Sequence, residues 1–143
     1  GYLDIVMYHE PTETFKIIDI KTSTRGWNDK VKKDEDKQFQ LILYKKFFAE
    51  QFNVPVSNID VEFFILKRKV YDHPDYVIPR IQTFSPASGK VKLNKADKAL
   101  NSFIGEVFDK NGYKDKNYTP TPSKWNCTFC PFKDNKELCS VSE

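Results

Sequence analysis

Two aspartates and a lysine near the start of the chain have the types and spacing that phosphodiester hydrolysis needs. Asp19-Ile20-Lys21 interrupts an apolar strand pattern, and alternate strand residues share a face, so Asp19 and Lys21 point the same way. If the preceding segment folds back as a hairpin about Pro11-Thr12, paired residue numbers add up to 23 and Asp4 opposes Asp19. Directly opposed carboxylates repel each other. A hard divalent cation such as Mg²⁺ or Mn²⁺ between them would remove that repulsion.

The two aspartates and the lysine are expected to have different chemical roles. A cation held by both acids polarises a phosphoryl oxygen and lowers the pKa of a bound water. The ammonium of Lys21 can orient that water or offset developing charge, and the main-chain carbonyl of Ile20 is a further candidate ligand. The alternative is a weak surface ion pair, which Asp-x-Lys often is. A one-residue slip would also move Asp4 to the other face.

The elements that must position these residues follow the order β-β-α-β-β-α, which predicts an α/β domain with a mixed central sheet. In the first helix, Leu41, Tyr44, Phe48 and Phe52 form one apolar stripe. Asn94 is the expected cap of the second helix and Asn111-Gly112 its stop. The predicted elements are a hairpin of Tyr2–Tyr8 and Phe15–Thr22, a helix from Asp34 or Asp36 to Phe52, strands Ile59–Lys69 and Tyr76–Phe84, and a helix Asn94–Lys110.

Length and composition exclude several classes. A chain of 143 residues with 39% hydrophobic residues suits a single domain with a core. Its apolar runs of four or five residues are far shorter than the ~20 that a membrane span requires, so no membrane partner is expected. The net charge is +3, and residues 89–124 hold eight lysines against four acids, which permits an anionic partner.

Three motifs in order carry a resemblance to a known family. Gly1-x-x-Asp4, Asp19-x-Lys21 and Gln40-x-x-x-Tyr44 resemble the PD-(D/E)xK nuclease superfamily, and within it the RecB-type exonucleases, including the AddB nuclease part and the CRISPR-associated RecB-like iron–sulfur exonucleases. The resemblance implies a restriction-endonuclease-like core with helices flanking the sheet. It assigns Asp4 and Asp19 as metal ligands and Lys21 as the catalytic lysine. Gln40 and Tyr44 complete the catalytic set, beside the active site and in contact with nucleic acid.

The family usually carries one more acid, on a helix before the Gly-x-x-Asp strand. This chain begins at Gly1, after that position. We therefore expect either that a segment preceding Gly1 is missing or that the site lacks one carboxylate.

The cysteines form a separate candidate metal site. Cys127, Cys130 and Cys139 lie within thirteen residues, and Cys-x2-Cys brings two sulfurs within reach of one metal. Iron–sulfur clusters and structural zinc both generally take four ligands. By resemblance to the iron-binding RecB-like nucleases we expect a [4Fe–4S] cluster whose fourth ligand lies outside this chain segment. Zn²⁺ with His9 or His73 is the alternative.

A weaker set of residues is expected to contact nucleic acid, namely Arg25, Trp27, Lys33 and Lys37. Trp27 could stack on a base or equally fill the core. The lysines at 90, 92, 95 and 98 would extend a path for phosphates, giving salt-dependent binding without sequence preference.

Together these features predict a Mg²⁺- or Mn²⁺-dependent deoxyribonuclease. We expect an exonuclease on single-stranded or duplex DNA ends that works in recombination, repair or replication, within a larger complex. The expected location is the cytoplasm, or the host cytoplasm or nucleus for a viral protein. We expect residues 1–123 to form the nuclease core and 124–143 a cysteine-rich tail. The alternatives are a non-catalytic nucleic-acid-binding or scaffolding relative and a viral RNA endonuclease.

Overall fold

The computed structural model describes residues 2–114, 122–135 and 137–139, so Gly1 of the first motif lies outside the described residues. Two short 3₁₀ turns, Glu10–Thr12 and Val56–Asn58, connect regular elements. The strands are β1 (Ile5–His9), β2 (Thr14–Ser23), β3 (Ile59–Lys67) and β4 (Ile81–Phe84), and the helices are α1 (Asp29–Lys32), α2 (Glu35–Phe52), α3 (Lys90–Val107) and α4 (Lys124–Thr128).

The four strands form one mixed sheet in the order β1-β2-β3-β4. β1 and β2 are antiparallel, and their pairs, from Ile5 with Ile18 to His9 with Thr14, all add up to 23, which confirms the predicted register. β2 and β3 are parallel, whereas β3 and β4 are antiparallel. A parallel pair needs a long crossover connection, and α2 lies in it. The predicted α/β class and mixed sheet are therefore confirmed.

Helix α2 packs against the sheet and buries one stripe of its surface. Leu41, Ile42 and Phe48 are buried in it, as the helical spacing requires. The predicted stripe is wrong at its end: Phe52 contacts the Phe48 ring but stays 56% exposed, because it lies in the last turn, where the helix ends at a left-handed Asn53.

The core lies between α2 and the central strands. β3 alternates buried and more exposed residues, so that Val61, Phe63 and Ile65 face inwards. β2 instead has three consecutive buried residues, Ile17–Asp19. The largest fully buried side chains are Phe63, Ile17, Leu41, Ile42, Ile59 and Ile65.

The structure has a helix, α1, that the sequence analysis did not predict, and several element bounds differ: β1 begins at Ile5 and not at Tyr2, and β3 ends at Lys67 and not at Lys69. α1 forms between the predicted strand Phe15–Thr22 and the predicted helix that follows it, and Asn28 Oδ1 accepts a hydrogen bond of 3.0 Å from the Val31 N–H. β4 begins at Ile81 instead of Tyr76, because Pro79 has no N–H and regular pairing resumes beyond it. α3 begins at Lys90, four residues before the expected Asn94 cap.

Two compact units make up the chain, Gly1–Asn101 and Ser102–Glu143, with the division inside α3. In the second unit, Gly112 adopts the left-handed conformation (φ 80°) expected of it, but α3 already ends at Val107, so the predicted helix end at Lys110 is wrong. α4 is capped by Ser123, whose Oγ accepts from the Asn126 N–H. None of the helices described is both long and apolar enough to cross a membrane. The predicted division at residues 123 and 124 stays a prediction.

Candidate active site

A hydrogen bond joins Asp4 to Ile20, the residue between Asp19 and Lys21. It directly precedes β1, one position beyond the Ile5–Ile18 pair, so the register continues towards Asp19. Its Oδ2 accepts a hydrogen bond of 2.8 Å from the Ile20 N–H. The hairpin therefore brings Asp4 to the Asp19–Lys21 segment, as predicted, with the side chain of Asp4 at the surface.

Asp19 is the buried carboxylate of the site. It is 4% exposed, on the strand that lies between β1 and β3 in the sheet. Lys21 Nζ lies 2.7 Å from Asp19 Oδ2, but in a direction that does not make a hydrogen bond. Among the described residues, Oδ2 has no hydrogen-bond partner. Buried carboxylate oxygens normally have one, so this oxygen is available to a ligand.

Gln40 links the lysine to helix α2. Lys21 Nζ donates a hydrogen bond of 3.0 Å to Gln40 Oε1, and Gln40 Nε2 donates one of 3.0 Å to the Tyr44 hydroxyl. Gln40 and Tyr44 are four residues apart, which places them as neighbours on the helix surface. All five predicted catalytic-site residues thus lie in one chain of contacts.

The donors present fit a hard divalent cation. Within the described ranges, no group of three or more His, Cys, Asp or Glu side chains could hold a metal ion. Mg²⁺ nevertheless binds commonly through one or two carboxylates and keeps several waters. Asp4 and Asp19 stay the two predicted carboxylate ligands, and Asp19 Oδ2 has no hydrogen-bond partner among the described residues. The Ile20 carbonyl stays a predicted ligand.

An apolar cavity lies beside this network. Gln40 and Tyr44 line it together with Phe47 and Gln51 of the same helix and Leu3 from the segment before β1. The cavity therefore borders the site, because Gln40 and Tyr44 belong to both.

The four residues predicted to contact nucleic acid differ in their surroundings. The Trp27 ring packs 4.9 Å from the Phe63 ring, so it fills the core, the second of the two predicted alternatives. The Arg25 guanidinium lies 5.3 Å over the Tyr71 ring. Lys33 is exposed, while the Lys37 ammonium is paired with Asp34.

The backbone of Trp27 is held by a side chain that sequence reasoning missed. Gln82 Oε1 accepts from the Trp27 N–H at 2.7 Å, and Gln82 Nε2 donates to the Trp27 carbonyl at 3.0 Å. Gly26 beside it has φ 98°, a conformation that favours glycine. No local sequence signal points to a contact between residues 55 positions apart.

Glu35 is a second polar residue that sequence reasoning missed. Its two carboxylate oxygens pair with Lys92, at 2.7 Å, and with Lys95. These hydrogen bonds lower the pKa of Glu35 to about 2. Two lysines of the predicted phosphate path are thus paired with an acid at the first turn of α2.

The three cysteines are half-buried in the second unit. The Cys130 N–H donates to the Cys127 carbonyl at 3.2 Å, which makes Cys-x2-Cys a tight turn. Of the alternative ligands, His9 bonds Thr12 at 2.7 Å and His73 stacks on Tyr76. In the described part of the chain, neither these cysteines nor these histidines belong to a group of three or more His, Cys, Asp or Glu side chains that could hold a metal ion.

Comparison with protein families gives a match to the PD-(D/E)XK nuclease superfamily over residues 1–135. Comparison with curated proteins and with solved structures gives no match. The matched superfamily consists of nucleases, which act on nucleic acid and generally use Mg²⁺ or Mn²⁺. The match covers nearly the whole chain, including all five residues of the site. The chain belongs to the PD-(D/E)XK nuclease superfamily.

Proposed function

We propose that this nuclease is a Mg²⁺- or Mn²⁺-dependent deoxyribonuclease that removes nucleotides from DNA ends, with single-stranded ends preferred. The observation that carries the proposal is Asp19: a buried carboxylate with an unbonded oxygen, 2.7 Å from the Lys21 ammonium. A buried carboxylate oxygen that makes an ion pair but no hydrogen bond is costly to bury. A role in binding a cation explains why such an arrangement would persist.

The residues of the site have distinct proposed roles. Asp4 and Asp19 hold the cation, with the Ile20 carbonyl as a further ligand. A bound divalent cation supplies Lewis-acid polarisation of the scissile phosphate and an acidified water. Lys21 directs an N–H towards that water or a phosphoryl oxygen. An ammonium has three N–H donors, and Lys21 uses one of them in its described hydrogen bond to Gln40, which leaves donor capacity for substrate.

Substrate binding is proposed to follow the basic residues around the start of α2. Lys33 and Lys37 lie at that end, and Arg25 lies in the loop between β2 and α1. Such a surface binds phosphates without reading sequence, and its affinity falls with salt. The preference for DNA ends and a role in recombination, repair or replication rest on the resemblance to RecB-type exonucleases.

The cysteine tail is proposed as a separate structural metal site, with a [4Fe–4S] cluster first and Zn²⁺ second. The support is the Cys127–Cys130 turn, which places two cysteines close together in the chain. The fourth ligand of such a cluster is proposed to lie outside residues 1–143. Elemental analysis of anaerobically purified full-length protein tests this: neither iron nor zinc would overturn it.

A non-catalytic nucleic-acid-binding role is the second candidate. It is favoured by the presence of only two carboxylates at the site within the described residues. Such a protein would bind nucleic acid yet leave it intact with either metal.

A nuclease assay on the full-length protein separates these two functions. End-labelled single-stranded DNA, duplex DNA and RNA are incubated with Mg²⁺, with Mn²⁺ and with EDTA. We expect metal-dependent degradation that starts at DNA ends. Asp19→Asn should abolish it, while Asp60→Asn, which removes an exposed aspartate from β3, should not. Cleavage that persists in EDTA or in Asp19→Asn would overturn the proposed function.

A further inference from the structure

Both polar ends of the Gln40 side chain are occupied by other protein groups. Its Oε1 accepts from Lys21 Nζ, and its Nε2 donates to the Tyr44 hydroxyl, each at 3.0 Å. We propose that Gln40 is a positioning residue that aims the Lys21 ammonium, with Tyr44 holding the Gln40 amide in place. This inference rests on the proposed function, and it replaces the direct nucleic-acid contact that the family resemblance implies for these two residues.

The orientation of the amide follows from the chemistry of its neighbours. An ammonium only donates hydrogen bonds, so it must face the amide oxygen and not the NH₂ group. The NH₂ end then faces Tyr44, whose hydroxyl oxygen accepts. A flipped amide would set two donors against each other at Lys21. The contacts on both sides of Gln40 therefore agree on one orientation.

A glutamine suits this role because it carries no charge. Asp19 and Gln40 approach the same ammonium, one as an anion and the other as a neutral acceptor. The neutral acceptor fixes the direction of the Lys21 N–H groups without cancelling the positive charge that a phosphoryl oxygen needs nearby. An acid at position 40 would instead compete with substrate for that charge.

Kinetics distinguish positioning from substrate contact. A residue that acts through Lys21 affects the chemical step, so its loss lowers kcat and leaves KM nearly unchanged. Loss of a contact that binds the substrate equally well in the ground state and the transition state raises KM instead. A hydrogen bond to a charged group is worth ~1.5–3 kcal/mol, which is about 10- to 150-fold in rate. We expect Gln40→Met to lower kcat by that factor, with KM changed by less than about twofold.

Two further variants complete the kinetic test. Tyr44→Phe should lower kcat by only about two- to fivefold, because Gln40 can still bond Lys21. The double variant should be no worse than Gln40→Met alone, since residues acting as one unit are not additive. Gln51→Met is the matched control: Gln51 lies on α2 and lines the same cavity, without a described contact to Lys21. It should leave both constants unchanged.

A measurement that does not need activity separates this inference from the proposed function. In EDTA, ¹⁵N-detected signals of lysine ammonium groups report which ones are held by hydrogen bonds. The Lys21 signal, assigned with Lys21→Met, should be present in the wild type and in Gln51→Met and lost in Gln40→Met. Retention of that signal in Gln40→Met, or a raised KM with unchanged kcat, would overturn the inference. An inactive wild type that shows the expected signals would overturn only the proposed function.

Discussion

Asp4 Oδ2 accepts its hydrogen bond from the N–H of Ile20, the residue between Asp19 and Lys21. The two residues are sixteen positions apart and meet because the β1–β2 register runs on past its last pair. One carboxylate of the site is thereby fixed to the backbone that carries the other carboxylate and the lysine. Substitution of Asp4 tests this link.

Asp4→Asn and Asp4→Ala should lose activity for one shared reason and differ in structure. Both remove the charge of a proposed metal ligand, so the Mn²⁺ concentration for half-maximal cleavage should rise at least about tenfold, ~1.4 kcal/mol of binding energy. Asn keeps an oxygen that can accept from the Ile20 N–H, whereas Ala does not. Hydrogen exchange of the Ile20 amide should accelerate only in Asp4→Ala. Equal metal dependence in Asp4→Asn and wild type would remove Asp4 from the site.

Lys21→Met should destabilise the protein, because it leaves the buried Asp19 carboxylate without a cation. Breaking a buried pair in this way costs ~3–5 kcal/mol. The Lys21 side chain is 33% exposed, so we expect a smaller loss of about 1–2 kcal/mol in the free energy of unfolding. Urea denaturation in EDTA measures it.

The double variant Lys21→Met/Asp19→Asn is the control for that loss. Removal of the uncompensated carboxylate should recover most of the lost stability, although neither variant should cleave DNA. A double variant that is less stable than Lys21→Met would show that the ion pair is not what links the two residues.

Glu35 should make stability depend on pH in the acid range. Its pKa falls from 4.5 to about 2 in the folded state through Lys92 and Lys95. A carboxyl with a lowered pKa stabilises the fold above its unfolded pKa, so this contribution is full above about pH 4.5 and is lost as the pH falls towards 2. Unfolding titrations should show a shallower acid decline for Glu35→Gln than for wild type.

The matched control is Asp36→Asn, which removes one negative charge from an exposed neighbour in the same helical turn. It should leave the acid decline of the wild type in place. High salt should shrink the Glu35 effect, because the pair lies near the surface. The same decline in Glu35→Gln and wild type would contradict the assignment.

Two adjacent lysines of α2 should respond to substitution in opposite directions. Burial lowers the pKa of Lys45, which is 7% exposed and bonds Ser88, whereas the hydrogen bond to Asp97 raises the pKa of Lys46. A buried lysine with a lowered pKa costs stability while it must be charged, at neutral pH. Lys45→Met should therefore raise the free energy of unfolding, by about 1 kcal/mol.

The gain from Lys45→Met should shrink as the pH rises towards 10.5, since the wild-type lysine then folds without a charge. Nearby Asp60 favours the charged form and limits the gain. Lys46→Met should lose stability instead, because it breaks the pair with Asp97. Chemical denaturation at about pH 7 and about pH 10 checks both; a stabilised Lys46→Met would contradict the ion-pair account.

The strand part of the site was predictable because it depends on local rules. Alternation places Asp19 and Lys21 on one face, and a hairpin turn at Glu10–Thr12 sets the register that brings Asp4 alongside. The contact between Lys21 and Gln40 is different. It depends on how α2 packs across the sheet, which helical spacing alone does not determine, and only the family motif indicated that Gln40 belongs near the site.

The long-range polar contacts could not have been predicted. Glu35 meets Lys92 across 57 positions, and Gln82 meets Trp27 across 55. Such pairs need both the tertiary arrangement and one rotamer among many, and neither leaves a periodic signal in the sequence. Phe52 was wrongly predicted for a different reason: its spacing fits the buried stripe, but it is the last residue of the helix and stays 56% exposed.

The two acids of the site lie in different parts of the sheet. Asp19 belongs to an inner strand, whereas Asp4 precedes the outermost one, all five residues of which are exposed to solvent. Peripheral strands open more readily than the centre of a sheet. Binding of one ion by both acids would then link the edge strand β1 to the inner strand β2. Divalent ions would therefore slow the local opening of β1.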